Sequence, residues 1–224
     1  MSTVDVPIAP SELPDSSHAP GGIALSRVVA VVVVACFFAA ALGYFLGVGR
    51  PPADDSVDVG FYQDMTAHHE QAVQMALIEL ANGENSIVRG FAQEIVIFQQ
   101  WEMGRMHERL RDWGALVPRS DTAMAWMGMP VPRAAMPGLA TEDQMAALRA
   151  ARGADADALF LDLMAEHHRG GAHMAAYAAD NARDRDVRAL AAKMERNQSI
   201  EINEFRQTAA RLGFDVEIEP YRSM

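Results

Sequence analysis

The sequence has little that would support a disulfide framework or a nucleic-acid-binding surface. One of its 224 residues is a cysteine, Cys36, which has no partner for an intramolecular disulfide. The 19 basic residues include a single lysine, Lys193, and form no basic run, and the formal net charge is −11. Because neutralising phosphates requires clustered lysine and arginine, no nucleic-acid partner is expected.

Familiar catalytic motifs are also missing from the sequence. There is no His-Glu-x-x-His, Cys-x-x-Cys, Gly-x-Ser-x-Gly or glycine-rich phosphate loop. Neither half of the chain contains the Glu-x-x-His pair that a ferritin-like di-iron site needs on two helices. The sequence therefore does not call for an enzyme, although it does not exclude one.

One long apolar run lies near the N-terminus. Residues 28–48 carry no charge and are flanked by Arg27 and Arg50. About 20 apolar residues cross the hydrocarbon layer as a helix, so a single-pass transmembrane helix is predicted. The alternatives are a buried core helix, a cleaved signal peptide and a lipoprotein signal that would leave Cys36 as a lipidated first residue. We favour an uncleaved anchor in the cell membrane, with the C-terminal domain extracytoplasmic.

The rest of the chain contains an internal repeat at an offset of 99 residues. Phe61–His69 aligns with Phe160–His168, and the same register continues without a gap into a second helical segment. Each unit is predicted to form a helical hairpin, so the two hairpins together predict an all-α four-helix bundle. The predicted segments are a disordered tail 1–27, transmembrane helix 28–48, linker 49–57, bundle 58–214 (first hairpin 58–114, crossover 115–154, second hairpin 155–214) and C-terminal tail 215–224.

Periodicity and stop signals place the helices of the bundle. Four prolines between residues 115 and 140 predict an irregular crossover. Thr141 and Gln144 form a predicted capping box that opens a short helix through Ala151. The four long helices are predicted at Val57–Ala81, Asn85–Trp113, Asp155–Asn181 and Asp184–Leu212.

Histidine and methionine share one apolar stripe in each repeat. Met65, His68 and Met75 fall on one face of the first helix, at a spacing that faces partner helices. A histidine in such a stripe is either a structural core group or a metal ligand, and the recurrence of the set favours the ligand. Imidazole with thioether suits Cu(I). The equivalent set in the second repeat is Met164, His167 and Met174.

Other polar residues accompany these stripes. His69 and His168 complete a His-His pair in each repeat, about 100° round the helix from their neighbours. Glu102 and Glu201 occupy equivalent positions. Each is interpreted as a hydrogen-bond acceptor that fixes an imidazole, as a hard metal ligand, or as an ordinary exposed glutamate. His173 has no counterpart in the repeat and is mainly peripheral, with a possible part as a further ligand.

A Met-rich stretch in the crossover is a separate feature. Methionine normally fills gaps in a core, and in a loop it does so only if the loop packs down. Otherwise a flexible thioether cluster could capture Cu(I) or Ag(I). The methionines concerned are Met124, Met127, Met129 and Met136.

The motifs resemble those of the domain-of-unknown-function 305 family. The resemblance rests on Phe61–Ala76, with its Met-x-x-His-His-x-x-Ala-Val-x-Met-Ala pattern, on Gln99–Met106 and on Met136–Ala175. It implies a ferritin-like four-helix fold in bacterial secreted or membrane-anchored proteins, some of them associated with copper. By that resemblance the candidate ligands are Met65, His68, His69, Met75, Met164, His167, His168 and Met174.

Two departures from the family pattern concern the second repeat. Arg169 stands where an acidic residue is usual, and Ile202 replaces the methionine found at Met103. A cation beside the second histidine pair would weaken metal binding there.

The predicted function is copper binding, as a buffer, by sequestration or by delivery to a trafficking partner. The alternatives are a structural or protein-interaction module with core histidines, and a redox enzyme that uses the bundle interior.

Overall fold

A computed structural model describes residues 25–47 and 51–221. The chain divides into an N-terminal unit, residues 1–50, and a helical domain, residues 51–224. Most of the predicted N-terminal tail (1–24), Val48, the start of the predicted linker (49–50) and the last three residues lie outside the described residues.

The N-terminal unit contains one apolar helix, α1, Leu25–Gly47. It is long and apolar enough to cross a membrane by length and composition, a test that a signal sequence near the N-terminus also passes. Large apolar side chains such as Val31 and Phe37 are exposed along it. The helix begins three residues before the predicted span, so residues 25–27, which were assigned to the tail, are helical.

The domain contains four long helices, each bounded within one residue of its prediction. Asn85 and Asp184, predicted as first helical residues, are N-caps whose side chains accept from Ile87 N at 2.9 Å and from Asp186 N at 2.7 Å. An N-cap has extended backbone and satisfies an otherwise unpaired amide of the first turn, which accounts for the one-residue shift. The long helices are α2 Val57–Asn82, α3 Ser86–Asp112, α5 Ala154–Asn181 and α6 Arg185–Leu212, and a short helix, α4 Glu142–Ala150, lies between the two hairpins in the chain.

The long helices form two hairpins that pack on each other. α2 packs along α3, α5 packs along α6, and α2 also packs against α5. The fold is therefore the expected four-helix bundle made of two repeated hairpins. Its buried side chains form two clusters, and each cluster contains residues from both repeats. The two hairpins consequently share their core.

Two aspartates tie each hairpin to the other. Asp58 on α2 accepts from the backbone amides of Arg183, at 3.1 Å, and Asp184, at 2.7 Å, just before α6. Its equivalent in the repeat, Asp157 on α5, accepts from the amide of Asn85, at 3.0 Å, just before α3. Both aspartates are buried. A carboxylate that accepts backbone N–H groups at a helix start is stabilising, so these ties fix the two hairpins in register.

The crossover between the hairpins packs down onto the bundle. Buried Asp64 accepts from Met124 N at 2.7 Å, Trp126 Nε1 at 2.8 Å and Arg133 Nη1 at 2.6 Å. The segment includes a two-residue antiparallel pair, β1 Thr122–Ala123 with β2 Val131–Pro132, which the all-α prediction did not contain. The carboxylate of Asp64 thus holds most of an otherwise irregular segment in place.

The methionines of the crossover belong mainly to the core. Met124, Met127 and Met136 are buried in one of the two clusters, while Met129 is 46% exposed. Their abundance is explained by packing of the loop, so the idea of a flexible thioether cluster receives no support from their positions.

The capping box of α4 is present as predicted, with Gln144 N donating to Thr141 Oγ1 at 3.2 Å.

The end of the crossover lies directly on α5. A Cβ added at Gly170 would overlap the carbonyl group of Pro137, and one added at Gly138 would lie 2.7 Å from the carbonyl oxygen of Glu166. Glycine at both positions allows two backbones to approach this closely. The contact fixes the position of the Pro137 carbonyl beside the centre of the bundle.

A buried carboxyl pair distinguishes the first hairpin corner from the second. Glu79 is fully buried, and its carboxyl group converges with that of Asp157 on the space beside Gly83. The residues equivalent to Glu79 and Gly83 in the second repeat are Ala178 and Ala182, so the small side chain of alanine replaces the glutamate there. Burial, reinforced by Asp157 and opposed by Arg89, raises the pKa of Glu79 to about 8. Glu79 is therefore protonated at neutral pH.

We expect the domain to lose stability as this glutamate ionises. The pKa of Glu79 rises on folding from its ordinary value of 4.5 to about 8. Its contribution is thus fully present below the unfolded pKa and is lost as the pH rises through the folded pKa. Urea unfolding of the full chain between about pH 5 and about pH 9 should show this decline. Glu79→Gln, which keeps the shape without the titration, should flatten it, and an equal slope in both proteins would contradict the assignment.

We expect Gly170→Ala to destabilise the domain by about 1–3 kcal/mol, because the added methyl would press on the Pro137 backbone. Alanine is otherwise favoured over glycine inside a helix. The matched control is Gly104→Ala on α3, where an added Cβ meets nothing within 4 Å, and which should stabilise by about 0.5–1 kcal/mol. Thermal unfolding of both variants checks the pair; a stabilised Gly170→Ala protein would rule out the close contact.

Candidate metal centre

The two repeats bring their first histidines together at the centre of the bundle. His68 on α2 and His167 on α5 are buried, and their ring centroids lie 3.8 Å apart at an interplanar angle of 37°. These residues are equivalent in the repeat, so the contact lies where the two halves of the bundle meet. The histidines of the predicted stripes thus belong to a single location.

The second histidine of each pair faces the other helix of its own hairpin. His69 Nε2 donates to Glu102 Oε2 at 2.9 Å, and His168 Nε2 donates to Glu201 Oε2 at 2.7 Å. Both rings are buried. The two glutamates occupy the arrangement expected of acceptors that fix the orientation and tautomer of an imidazole.

The first histidines donate to backbone carbonyl groups instead. His68 Nε2 donates to the Pro137 oxygen at 3.2 Å, and His167 Nε2 donates to the oxygen of His68 at 3.0 Å. Since carbonyl and carboxylate oxygens only accept, all four rings carry their proton on Nε2. In a neutral imidazole this leaves a lone pair on Nδ1.

Six buried acceptor atoms in this region have no hydrogen-bond partner among the described residues. They form three pairs related by the repeat offset, and leaving such an atom unpaired costs about 1–3 kcal/mol. A water molecule or a cation would satisfy them. The atoms are Nδ1 of His68, His69, His167 and His168, and Oε1 of Gln99 and Gln198.

Gln99 and Gln198 are members of this set that the sequence analysis did not include among the candidate ligands. The available signal was their recurrence at the repeat offset, one helical turn before Glu102 and Glu201. Gln198 Oε1 occupies the space beside Gly171 that a Cβ would fill. The small residue one turn beyond His167 therefore accommodates a side chain from α6.

The methionines of the two stripes are all fully buried. Met65 and Met174 belong to one core cluster, and Met75 and Met164 belong to the other. Each cluster therefore receives one thioether from each repeat. Because the stripes run along α2 and α5, which pack against each other, a donor set at their centre draws on both repeats.

Electrostatics keeps the central imidazoles neutral. Burial, with smaller effects from His69 and His168, lowers the pKa of His68 to about 3. Burial together with the neighbouring His68 holds the pKa of His167 well below its ordinary value. Neutral rings retain the Nδ1 lone pairs that a metal ion would need.

The other residues of the second repeat that the sequence singled out line a surface cavity of the domain. His173 is half-buried and lines a surface cavity of about 490 Å³ beside Pro137 and Tyr221. Arg169 lines the same cavity, pairs with Glu166 at 3.2 Å and donates to the carbonyl oxygen of Glu219 at 2.8 Å. Its guanidinium group is thus bonded to Glu166 and to the C-terminal segment, and its effect on a metal at the second pair stays a prediction.

Within residues 25–47 and 51–221, no three His, Cys, Asp or Glu side chains come together in an arrangement that would hold a metal ion. A metal centre here would therefore also draw on methionine sulfur or glutamine oxygen, or would require the imidazoles to turn. The chemistry of the donors present fits a soft cation, since neutral nitrogen and thioether sulfur are its preferred ligands.

Comparison with known proteins places the chain in a family. The model described as "Domain of unknown function (DUF305)" matches residues 58–209. A candidate secreted DUF305 protein from Streptomyces coelicolor is 37% identical, with a TM-score of 0.68, over 75% of this chain and 100% of that chain. A DUF305 fragment from Deinococcus radiodurans is 29% identical, with a TM-score of 0.60, over 69% and 96% respectively.

A third solved structure is CopM in the Cu(I)-bound form, which is 25% identical, with a TM-score of 0.54, over 69% of this chain and 96% of that chain. No curated protein matches the chain. The family match spans most of the helical domain, and the predicted resemblance is confirmed: the chain belongs to the DUF305 family.

Proposed function

We propose that this protein binds copper ions at the centre of its four-helix bundle and holds them outside the cytoplasm for sequestration or delivery. The observation that carries the proposal is the set of six buried, repeat-related acceptor atoms for which the described part of the chain provides no donor. Such a set is costly in an apolar core. A bound cation would convert the same atoms into stabilising contacts.

The four Nδ1 atoms and the four thioethers of the stripes are the proposed donors. Glu102 and Glu201 hold two of the imidazoles by their Nε2 hydrogens, which orients the rings and raises their basicity. The contact between His68 and His167 supports one centre shared by the repeats. CopM, which has this fold, has been solved with Cu(I) and with Cu(II), and the thioethers favour Cu(I) here.

The location of the domain is part of the proposal. α1 is apolar along its described length, and an uncleaved α1 would anchor the domain to the cell membrane in a single pass. Sequencing the N-terminus of the protein isolated from membranes tests this, because a cleaved signal peptide would leave a chain that begins after α1.

A second candidate function is a structural or protein-interaction module with core histidines. It is favoured by the fact that every Nε2 atom of the four histidines already has a partner within the protein. It also fits the lack of a ready arrangement of three His, Cys, Asp or Glu side chains among the described residues. Metal titration separates the two candidates.

We expect the full chain in detergent to bind Cu(I) in an anaerobic competition with a chromogenic chelator. Changing Met65, Met75, Met164 and Met174 to leucine should weaken Cu(I) binding at least about tenfold, while circular dichroism stays unchanged, since Met and Leu have similar volumes. Cu(I) at about 100 times its Kd should stabilise the wild type by about 2.7 kcal/mol.

The matched control replaces four buried methionines outside the stripes, Met103, Met106, Met145 and Met194, by leucine. This control has the same number of methionine-to-leucine substitutions and should keep the wild-type affinity for Cu(I). If wild type, test variant and control all fail to bind Cu(I), the histidines are structural and the second candidate stands. Wild-type affinity in the test variant would instead show that the methionine stripes are not the ligands.

A further inference from the structure

The central histidines are not accessible from solvent. All four rings lie in residues that are 0–1% exposed, so an ion must pass other side chains before it reaches an Nδ1 atom. Two cavities on the surface of the domain lie next to residues that contact these rings. One is the groove between α3 and α6, and the other lies beside Pro137.

The groove between α3 and α6 has a volume of about 370 Å³. Its lining includes two repeat-related pairs, Gln99 with Gln198 and Glu102 with Glu201. Each glutamate also accepts the Nε2 hydrogen of a central histidine. The same two carboxylates therefore contact the groove on one side and the imidazoles on the other.

The two glutamines extend this line of oxygen atoms inward. Gln198 lines the groove, yet its Oε1 reaches the backbone of α5 beside Gly171, one turn from His167. That oxygen and its equivalent on Gln99 are buried and have no donor among the described residues. Oxygen ligands are thus available at successive depths between the groove and the histidines.

The mouth of the groove is acidic. Partial burial and, to a smaller extent, the charges of Glu201 and Glu94 raise the pKa of Glu204, which lies on the exposed edge of the lining. The basic residue of the lining is Lys193, whose ammonium lies 4.6 Å from the ring centroid of Trp101 at the rim. The lining holds three carboxylates, those of Glu102, Glu201 and Glu204, against this one ammonium group, and a cleft of net negative charge concentrates cations.

The cavity beside Pro137 is the poorer route. The carbonyl oxygen of Pro137 already accepts the hydrogen of His68 Nε2 at 3.2 Å. Arg169 lines this cavity and is bonded across to the carbonyl of Glu219 in the C-terminal segment. A cation entering here would meet a guanidinium group.

We propose that the ion enters through the groove between α3 and α6, where Glu102 and Glu201 bind it first and the carbonyl oxygens of Gln99 and Gln198 pass it to the histidines. This inference rests on the proposed copper binding and adds to it an entry site with hard oxygen ligands. The mouth of the groove attracts the ion, the glutamates bind it, and the glutamine oxygens then pass it to the rings that the glutamates orient.

The test separates the rate of uptake from the affinity. Glu204→Gln with Glu94→Gln removes one negative charge from the groove lining and a second that acts on Glu204, and it leaves every histidine contact intact. Glu166→Gln with Glu219→Gln removes two charges beside the other cavity and serves as the matched control. Both variants are made in the full chain, in detergent, and mixed anaerobically with Cu(I) as its acetonitrile complex in a stopped-flow instrument.

We expect the groove variant to take up Cu(I) about tenfold more slowly at low ionic strength, with the difference disappearing at high salt. Its equilibrium affinity and the uptake rate of the control should match those of the wild type, because charges at a rim act on association rates. Lys193→Gln should accelerate uptake.

Two other outcomes are distinguishable. A slower control together with an unchanged groove variant would overturn the route while leaving copper binding intact. No binding by the wild type in the equilibrium titration would remove the proposed function itself, and the route with it.

Discussion

The contact between α2 and α5 at His68 and His167 determines the arrangement of the other polar groups in the bundle. Two imidazoles whose centroids are 3.8 Å apart in an apolar interior cannot both be charged without a large electrostatic cost. They remain neutral, and each directs its one N–H group to a backbone oxygen. The lone pairs on the other nitrogen atoms are then left inside the core, and this makes the centre suitable for a cation.

The surrounding fold holds these groups in place through bonds that cross between the hairpins. Asp58 and Asp157 each receive backbone N–H groups from the start of a helix in the other repeat, so neither hairpin can slide without losing a buried charge-assisted bond. Asp64 holds the crossover against α2 in the same way. A centre built on long helices and fixed from both ends keeps its geometry better than one on loops.

The repeat in the sequence predicts the helices, but it does not determine whether the two stripes form one centre or two. The contact of His68 with His167 in the structure answers this for the first histidines. One register over two hairpins gave each helix bound within one residue, because N-caps, glycine stops and apolar spacing are local signals. It also marked Glu102 and Glu201 as equivalent positions, with an acceptor role, a ligand role and an exposed position all open, and the structure bonds them to His69 and His168. Whether these residues bind a metal stays a prediction.

The features that the sequence did not reveal depend on contacts between distant segments. The burial of Met124 and Met136 follows from Asp64, some 60 residues away from Met124, and no local pattern links them. Gln99 and Gln198 were missed because a neutral amide oxygen becomes a candidate ligand only when no neighbour donates a hydrogen bond to it. Recognising this requires knowledge of every neighbouring residue. The surface direction of Arg169 likewise depends on the C-terminal segment that accepts its hydrogen bond.

The crossover also makes the two halves of the centre unequal. In a strictly symmetric bundle His68 would donate to the carbonyl of His167, as His167 donates to that of His68. The Pro137 carbonyl, held on α5 by the close approach at Gly170, takes the hydrogen of His68 instead. His167 is therefore oriented by a helix backbone, whereas His68 is oriented by a loop. Because a loop is displaced at lower cost than a helix, the environment of His68 is the more adaptable of the two.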